Sequence, residues 1–406
     1  MNWSLCVVPA RSARRSWREG EEMETHVMRD VAIVGSAVMP NAIYAQPDDD
    51  LLMRCVVNAA RDAGVKKEEI RALISMTPRS HTTQQYQTQH VSSRLGLKVD
   101  MLCEFELSAL GMCNALAHAA NLIRTRDIPA VAIMGCSRES TVPTSEFFGS
   151  RTSRTSDASF IGPFGMTPMS WNALGAREMM ADGEATEENF ADVSVRLRRQ
   201  AIDNPYAYFR KAVTREEVLA SRMVSSPTRL LMVCPRTDGA GCVIVAREDI
   251  AKRAPDKAIV HVAQGMAHDG DNIIPERAGR SMWHIPAAGR AVVDAFERSG
   301  LEHGDIDVVE PWIPFAPLEV MVMRSMGFPG DYGTSMCVSP SGGPIARGYP
   351  LLATGFYNWH ELVQQLRGTA GRRQKPDARF GMAVSETGNY NECVVDIFAR
   401  FDGSTA

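Results

Sequence analysis

The chain has 406 residues, 45% of them apolar and 23% charged, with a net charge of −4. That length holds the core of two to three ordinary domains, and the composition excludes a disordered or fibrous chain. No run reaches the ~18 apolar residues of a membrane helix, and the slightly acidic balance gives no electrostatic case for nucleic acid as a partner. Nine scattered cysteines without a C-x-x-C pair argue against a zinc ribbon or disulfide scaffold and for a reducing, cytoplasmic setting.

Residues 1–27 read differently from the rest. A weakly apolar start is followed by Arg11, Arg14, Arg15 and Arg18, then by Glu19, Glu21 and Glu22. That order is the reverse of a secretory signal, so a disordered tail or an early start codon before Met28 is expected. The fold is expected to begin at 29–35, an apolar run ending in Gly35 that reads as a buried strand. Residues 53–76 (MRCVVNAARDAGVKKEEIRALISM) then read as a helix closed by Gly64, a short turn and a strand.

The same pattern returns at 289–312 (GRAVVDAFERSGLEHGDIDVVEPW), with Gly300 equivalent to Gly64, 236 residues later. Each copy follows a strand ending in Gly, at 31–35 and 259–265. The echo continues: a small-residue loop, a helix at 112–124 and a strand at 130–135 in the first copy, and a Gly-rich loop, a helix at 351–366 and a strand at 380–384 in the second. The chain is therefore an α/β protein of two repeated β-α-β halves, 28–250 and 251–402, with mainly parallel, doubly covered sheets. Helices 112–123 and 351–366 lack a clean polar face, which places them between the sheets. The stretch 138–231 has no counterpart in the second half. It carries helix signals at 168–182 and 186–204 and reads as a substrate-handling insertion.

Several motifs resemble the thiolase superfamily, most closely its lipid-transfer-protein/sterol-carrier-protein branch. They are 204–210 (NPYAYFR), 218–224, 227–231, 234–240 (CPRTDGA), 340–348 (PSGGPIARG) and 361–368. The resemblance spans roughly 29–400. It implies a five-layered α-β-α-β-α fold with pseudo-twofold halves, an acyl-CoA substrate with no cofactor beyond that CoA, no metal and a homodimer. The apolar stretch 99–105 suits pairing of two copies edge to edge.

The departures define the chemistry. Where a thiolase carries its nucleophilic Cys in a Cys-x-x-Gly turn, this chain has 108–111 (SALG), which leaves Ser108 or Ala109 at that position. The family's Gly-His-Pro is Gly348-Tyr349-Pro350, its His-Asp-x-Phe is 312–315 (WIPF), and its final Cys-x-Gly falls on 385–388 (SETG). A serine without a positioned base is a poor acyl acceptor, so ordinary thiolysis is not expected.

Two helix N-termini remain, at Ser108–Gly111 and at the loop of Ser341, Gly342, Gly343 and Gly348. Their N–H groups suit a thioester enolate. Retro-aldol cleavage of a 3-hydroxyacyl-CoA needs such donors and a base, but no covalent intermediate. Tyr349 is the expected base, with Arg347 and a helix terminus lowering its pKa. This pattern resembles thiolase-like retro-aldolases that trim steroid side chains, which implies a small zinc-ribbon/OB-fold partner chain. Trp312, His268 and Glu386 are expected to line the substrate pocket, and Arg210, Arg222 and Arg229 to meet CoA phosphates. A catalytically inactive scaffold subunit and an acyltransferase using Ser108 are the alternatives.

Overall fold

The computed structural model describes residues 28–76, 84–107, 110–147, 159, 162–269, 281–387 and 391–401. The first half runs β1 (Met28–Val38), α1 (Asp48–Ala63), β2 (Ile70–Met76), α2 (Gln87–Leu95), β3 (Met101–Phe105), α3 (Leu110–Arg126) and β4 (Ala130–Arg138). The insertion carries α4 (Thr144–Glu146), α5 (Pro168–Ala181), α6 (Glu187–Gln200), α7 (Arg215–Ala220) and the small ribbon β5 (Met223–Ser225) and β6 (Thr228–Arg229). The half then closes with β7 (Asp238–Arg247) and α8 (Glu248–Ala251). The second half runs β8 (Ile259–His268), α9 (Pro286–Ser299), β9 (Val308–Pro311), α10 (Ala316–Ser325), α11 (Tyr332–Ser335), β10 (Cys337–Val338), α12 (Thr354–Arg367), β11 (Phe380–Thr387) and β12 (Glu392–Arg400).

The strand order is β10-β9-β11-β12-β8-β1-β7-β4-β2-β3. Split between β8 and β1, the two sets mirror one another: β1 answers β8, β7 answers β12, β4 answers β11, β2 answers β9 and β3 answers β10. Pairing directions agree in both sets, antiparallel for β1–β7 and β8–β12 and parallel for β2–β4 and β9–β11. The halves meet where Ile33 pairs with Ile259. The sheets are mixed rather than mainly parallel, because β7 and β12 run back antiparallel between β4 and β1 and between β11 and β8.

Alternation along each strand sorts side chains into layers. On β4, Val131 and Ile133 face the centre and Ala130, Ala132 and Met134 face outward. The central cluster combines α3 (Met112, Leu116, Ile123) and α12 (Phe356, Trp359, Leu362) with both half-sheets, through Ile33 and Val245 on one side and Ala383 and Val394 on the other. Helix α1 covers the outer face of the first half-sheet, and α9, α10 and the insertion helices cover that of the second. Helix α12 is thus enclosed, as its sequence requires, whereas α3 buries one side and leaves Ala117, Asn121 and Arg124 exposed along the other. Gly64 and Gly300 close α1 and α9 with φ of 65° and 71°, a left-handed cap at equivalent points of the two halves.

Candidate active site

The two central helices point their N-termini at one place. A methyl group built on Gly355, in the first turn of α12, would lie 3.1 Å from Met112 Sδ of α3 and 3.5 Å from the Trp312 ring. Trp312 is 1% exposed, and its backbone N–H donates to Val384 O of β11 at 2.8 Å. Its indole N–H donates to the Tyr349 hydroxyl at 3.3 Å, with the rings edge to face. Tyr349 is half-buried, on the loop after Gly348, and pairs alongside Arg236. Burial pushes its pKa well up, and the neighbouring Cys234, Glu386 and Glu139 add to the rise.

Glu386, two residues beyond Val384 on β11, is 8% exposed, and burial pushes its carboxyl up to about 8. Glu139, just past β4, is held up at about 7 by burial, while Ser137, donating to it at 2.6 Å, works against the shift. Both of these acids sit near the top of the range in which a carboxyl exchanges protons at neutral pH. The thiols behave oppositely to a nucleophile. Cys234 is pushed far up by burial, and so is Cys113 in the first turn of α3, where Asp396 adds to the effect. Neither is a thiolate at neutral pH.

The expected site residues fall into three groups. Tyr349 and Trp312 come together, and Glu386 acts on Tyr349 electrostatically. Ser108 and Ala109 lie outside the described residues. The remaining loop donors are otherwise engaged. Gly111 N–H donates to Leu107 O (2.9 Å), Gly342 N–H to Ser339 O (2.8 Å), Gly343 N–H to Ser341 Oγ (3.2 Å) and Gly348 N–H to Pro344 O (3.1 Å). Ser341 gives both its N–H and its hydroxyl to Glu310, each at 2.9 Å. The Gly-rich loop is therefore a packing device rather than a row of waiting donors. At φ +120°, Gly348 sits where a methyl group would lie 2.7 Å from Asn41.

Arg347 does not lower the Tyr349 pKa as expected. Its side chain is 1% exposed and turns the other way, to Ser341 Oγ (2.9 Å), Asn358 Oδ1 (2.7 Å) and Glu310 (3.5 Å). Burial holds Glu310 up at about 7 and lowers Arg347, each charge partly restoring the other. That buried network fixes the turn Gly343–Arg347 from which Tyr349 emerges.

His268 is exposed at the end of β8, 3.6 Å from Glu392. It lines an open groove of about 630 Å³ with His284, Arg290 and Asp294, a groove whose lining includes none of Tyr349, Trp312 and Glu386. Arg229 is committed to Glu187 (3.3 Å) and to Ser221 O, whereas Arg210 and Arg222 are exposed on the insertion. Cys234 and Glu139 are the neighbours of Tyr349 that sequence reasoning missed. Cys234 opens the noted 234–240 motif, but nothing local marks Glu139. No cluster of three or more potential metal ligands occurs among the described residues, and no described helix is long and apolar enough to cross a membrane.

Comparison with known proteins gives a consistent set of likenesses. Residues 275–400 match the family described as Thiolase C-terminal domain-like. An acetyl-CoA acetyltransferase of Methanothermobacter thermautotrophicus is 30% identical over 391 residues, covering 92% of this chain and 100% of that protein. Sterol carrier protein 2 of Oryctolagus cuniculus is 32% identical over 232 residues, covering 53% of this chain and 42% of the relative. Among solved structures, the Ltp2-ChsH2(DUF35) aldolase superposes with a TM-score of 0.79 at 22% identity, over 92% of this chain and 98% of that one.

Proposed function

From a chain that belongs to the thiolase superfamily, in its sterol-carrier-protein thiolase-like subgroup, we propose an acyl-CoA carbon–carbon lyase. It cleaves a 3-hydroxyacyl-CoA, such as a steroid side chain or similar lipid acid, by a retro-aldol reaction. Tyr349 handles the proton, and no covalent cysteine intermediate forms. The observation that carries this reading is the set of groups that act on Tyr349. An indole N–H donates to its phenol and two titratable carboxyls raise its pKa, while burial holds the thiols Cys234 and Cys113 protonated. Such a set moves protons and steadies an enolate, but it does not accept an acyl group. The positive ends of α3 and α12 are the groups that favour the enolate oxygen.

A neutral Tyr349, not a resting phenolate, fits burial at this site. It donates its proton onward as it receives one from the substrate. The relative named for two components, the Ltp2-ChsH2(DUF35) aldolase, supports a small zinc-ribbon/OB-fold partner for this chain as well. The open edge at β3 supports a homodimer, and Arg210 and Arg222 are proposed to meet CoA phosphates.

The test is incubation with 3-hydroxyacyl-CoA esters, with and without the co-expressed partner, watching for a ketone or aldehyde plus a shorter acyl-CoA. Tyr349→Phe should lower turnover by roughly 10²–10⁴-fold, with thioester affinity within a few-fold. Ser108→Ala should cost much less. The reverse ranking would restore acyl transfer through Ser108, and no turnover even with the partner bound would identify a scaffold subunit.

A further inference from the structure

Among the described residues two arginines are buried, Arg347 and Arg198. Arg347 has Glu310 for a counter-charge. Other well-covered guanidinium groups are served likewise, Arg367 by Asp62, Arg373 by Glu361 and Arg196 by Glu319. Arg198, in the last turn of α6 and 7% exposed, has neither an ion pair nor a hydrogen bond among the described residues. Its guanidinium carbon lies over the Phe209 ring, 3.9 Å from the centre. Burial lowers its pKa, and no carboxylate acts to restore it. A covered cation without a counter-charge is costly, and arginines are rarely enclosed unless paired. Its Nε is sealed from solvent, but its two terminal nitrogens are not among the sealed atoms. The fork of the guanidinium therefore faces open space, with the ring packed against its face.

The surroundings are cationic and aromatic. Arg210, the residue after Phe209, is exposed and donates from Nε to Ile202 O at 3.1 Å, one turn beyond Arg198. Two guanidinium groups thus come to the same end of α6, one covered and one at the surface. The acids Glu187, Asp192 and Asp203 of this helix and its extension are paired with Arg229, Arg215 and Arg372. Tyr208 meets Phe209 edge to face, with ring centres 4.9 Å apart, and is 41% exposed. The segment is tied to the loop that carries Tyr349. Tyr208 N–H donates to Arg347 O at 2.8 Å and Phe209 N–H to Ala346 O at 3.0 Å. Tyr349 follows Ala346 by three residues, at most about 11 Å of chain. The arginines therefore stand beside the reaction space, at the remove of a handle rather than of a reacting group.

We propose that Arg198 and Arg210 bind the 3′-phosphate of the acyl-CoA, with Tyr208 offering its exposed ring to the adenine. This rests on the acyl-CoA reading above. A phosphate monoester carries about −1.5 to −2 charges at neutral pH and three acceptor oxygens, which suits two cations. The fork of an arginine takes two such oxygens at once. The pyrophosphate of CoA, a diester at each phosphorus, carries one charge per phosphorus and matches the pair less well. The bound phosphate supplies Arg198 with its counter-charge.

The test compares CoA with dephospho-CoA, which lacks only that phosphate, by calorimetric titration of the full chain. The wild-type protein should prefer CoA by about tenfold or more. Arg198→Met should remove most of that preference by weakening CoA, while dephospho-CoA stays within about twofold of its wild-type affinity. Arg198→Lys should keep part of it. An arginine with a structural role alone would weaken both ligands alike. Arg210→Ala, at an exposed position, should also reduce the preference, so the assignment remains testable if Arg198→Met folds poorly. Saturating CoA should raise the melting temperature of the wild type more than that of Arg198→Met. Equal wild-type affinities for CoA and dephospho-CoA, or a preference that survives in both Arg198→Met and Arg210→Ala, would overturn the proposal. So would inorganic phosphate that protects the wild type as strongly as CoA at the same concentration. If neither CoA nor dephospho-CoA binds the wild type, the acyl-CoA reading falls together with the proposal. If both bind equally well, that reading stands and the phosphate site alone falls.

Discussion

At Glu386 the cost of burying a carboxyl is readable as stability. Its pKa in the folded protein, about 8, lies above the ordinary value of 4.5. The folded state therefore binds the proton more tightly than the unfolded state. The resulting stability is fully present below about pH 4.5, declines as the pH rises to about 8, and is flat beyond. Glu386→Gln removes this penalty, so it should raise the denaturation midpoint at pH 9 while leaving it unchanged at pH 4. The ceiling is roughly 4–5 kcal/mol from the size of the shift. Urea titrations at the two pH values check this, and equal midpoints at pH 9 would contradict it. The sequence displayed Tyr349, Trp312 and Glu386, because departures from a familiar motif stand out at known positions. It did not display the electrostatics. Arg347 is two residues from Tyr349, but Glu310, 37 residues upstream, takes its guanidinium into the interior. Which way a loop side chain turns is settled by a partner distant in sequence.

Among the elements, the strand–helix contacts are the clearest product of the repeat. A methyl group on Gly35 of β1 would lie 2.2 Å from Ala59 O of α1, and one on Gly265 of β8 would lie 2.0 Å from Ala291 O of α9. In each half a bare strand residue lets the helix backbone press directly onto the sheet, and Ala63 or Ala295 completes the contact. Gly265→Val should therefore cost at least ~1–3 kcal/mol by forcing α9 away from β8. Gly304→Ala, where a methyl group meets nothing within 4 Å, should stay within about 0.5 kcal/mol of wild type. Thermal melts of the two variants separate close approach from a general glycine effect. These positions were legible as the glycines ending two echoed strands, and the enclosure of α12 was legible in its missing polar face, whereas α3 keeps an exposed stripe at Ala117, Asn121 and Arg124. Strand direction was not. Alternating helices and strands suggest parallel neighbours, but β12 follows β11 across a short connection and must return antiparallel.

For the whole molecule, the two half-sheets leave opposite ends of one strand series open. One end is β10, a short strand of two residues, and the other is β3. Along β3 the even positions Leu102 and Glu104 are exposed while Met101, Cys103 and Phe105 are partly covered. The proposed homodimer would extend the series there, and closed twofold pairing would hide the edge. Leu102→Lys places a cation on each copy at that seam, so sedimentation velocity should shift from dimer to monomer at micromolar concentration. A wild-type protein that already sediments as a monomer would dismiss the arrangement. The central layer gives a further reason for treating the chain as one unit, since α3 and α12 each need both half-sheets to be covered.

The seat of β1 between β7 and β8 also sets a clock. Ile33 pairs with Val245 and with Ile259, so β1, the first strand among the described residues, has neither of these sheet partners until about 210 further residues have been synthesised. At roughly 5–20 residues per second, about 200 residues of waiting amount to roughly 10–40 s on the ribosome. Throughout that interval an apolar strand destined for the middle of the sheet has both edges unpaired, with the insertion still to emerge. Newly made chains should therefore depend on chaperones to a degree that the finished protein does not, and its refolding from denaturant should be slow for its size, because the contacts that close the sheet are among the longest in the sequence.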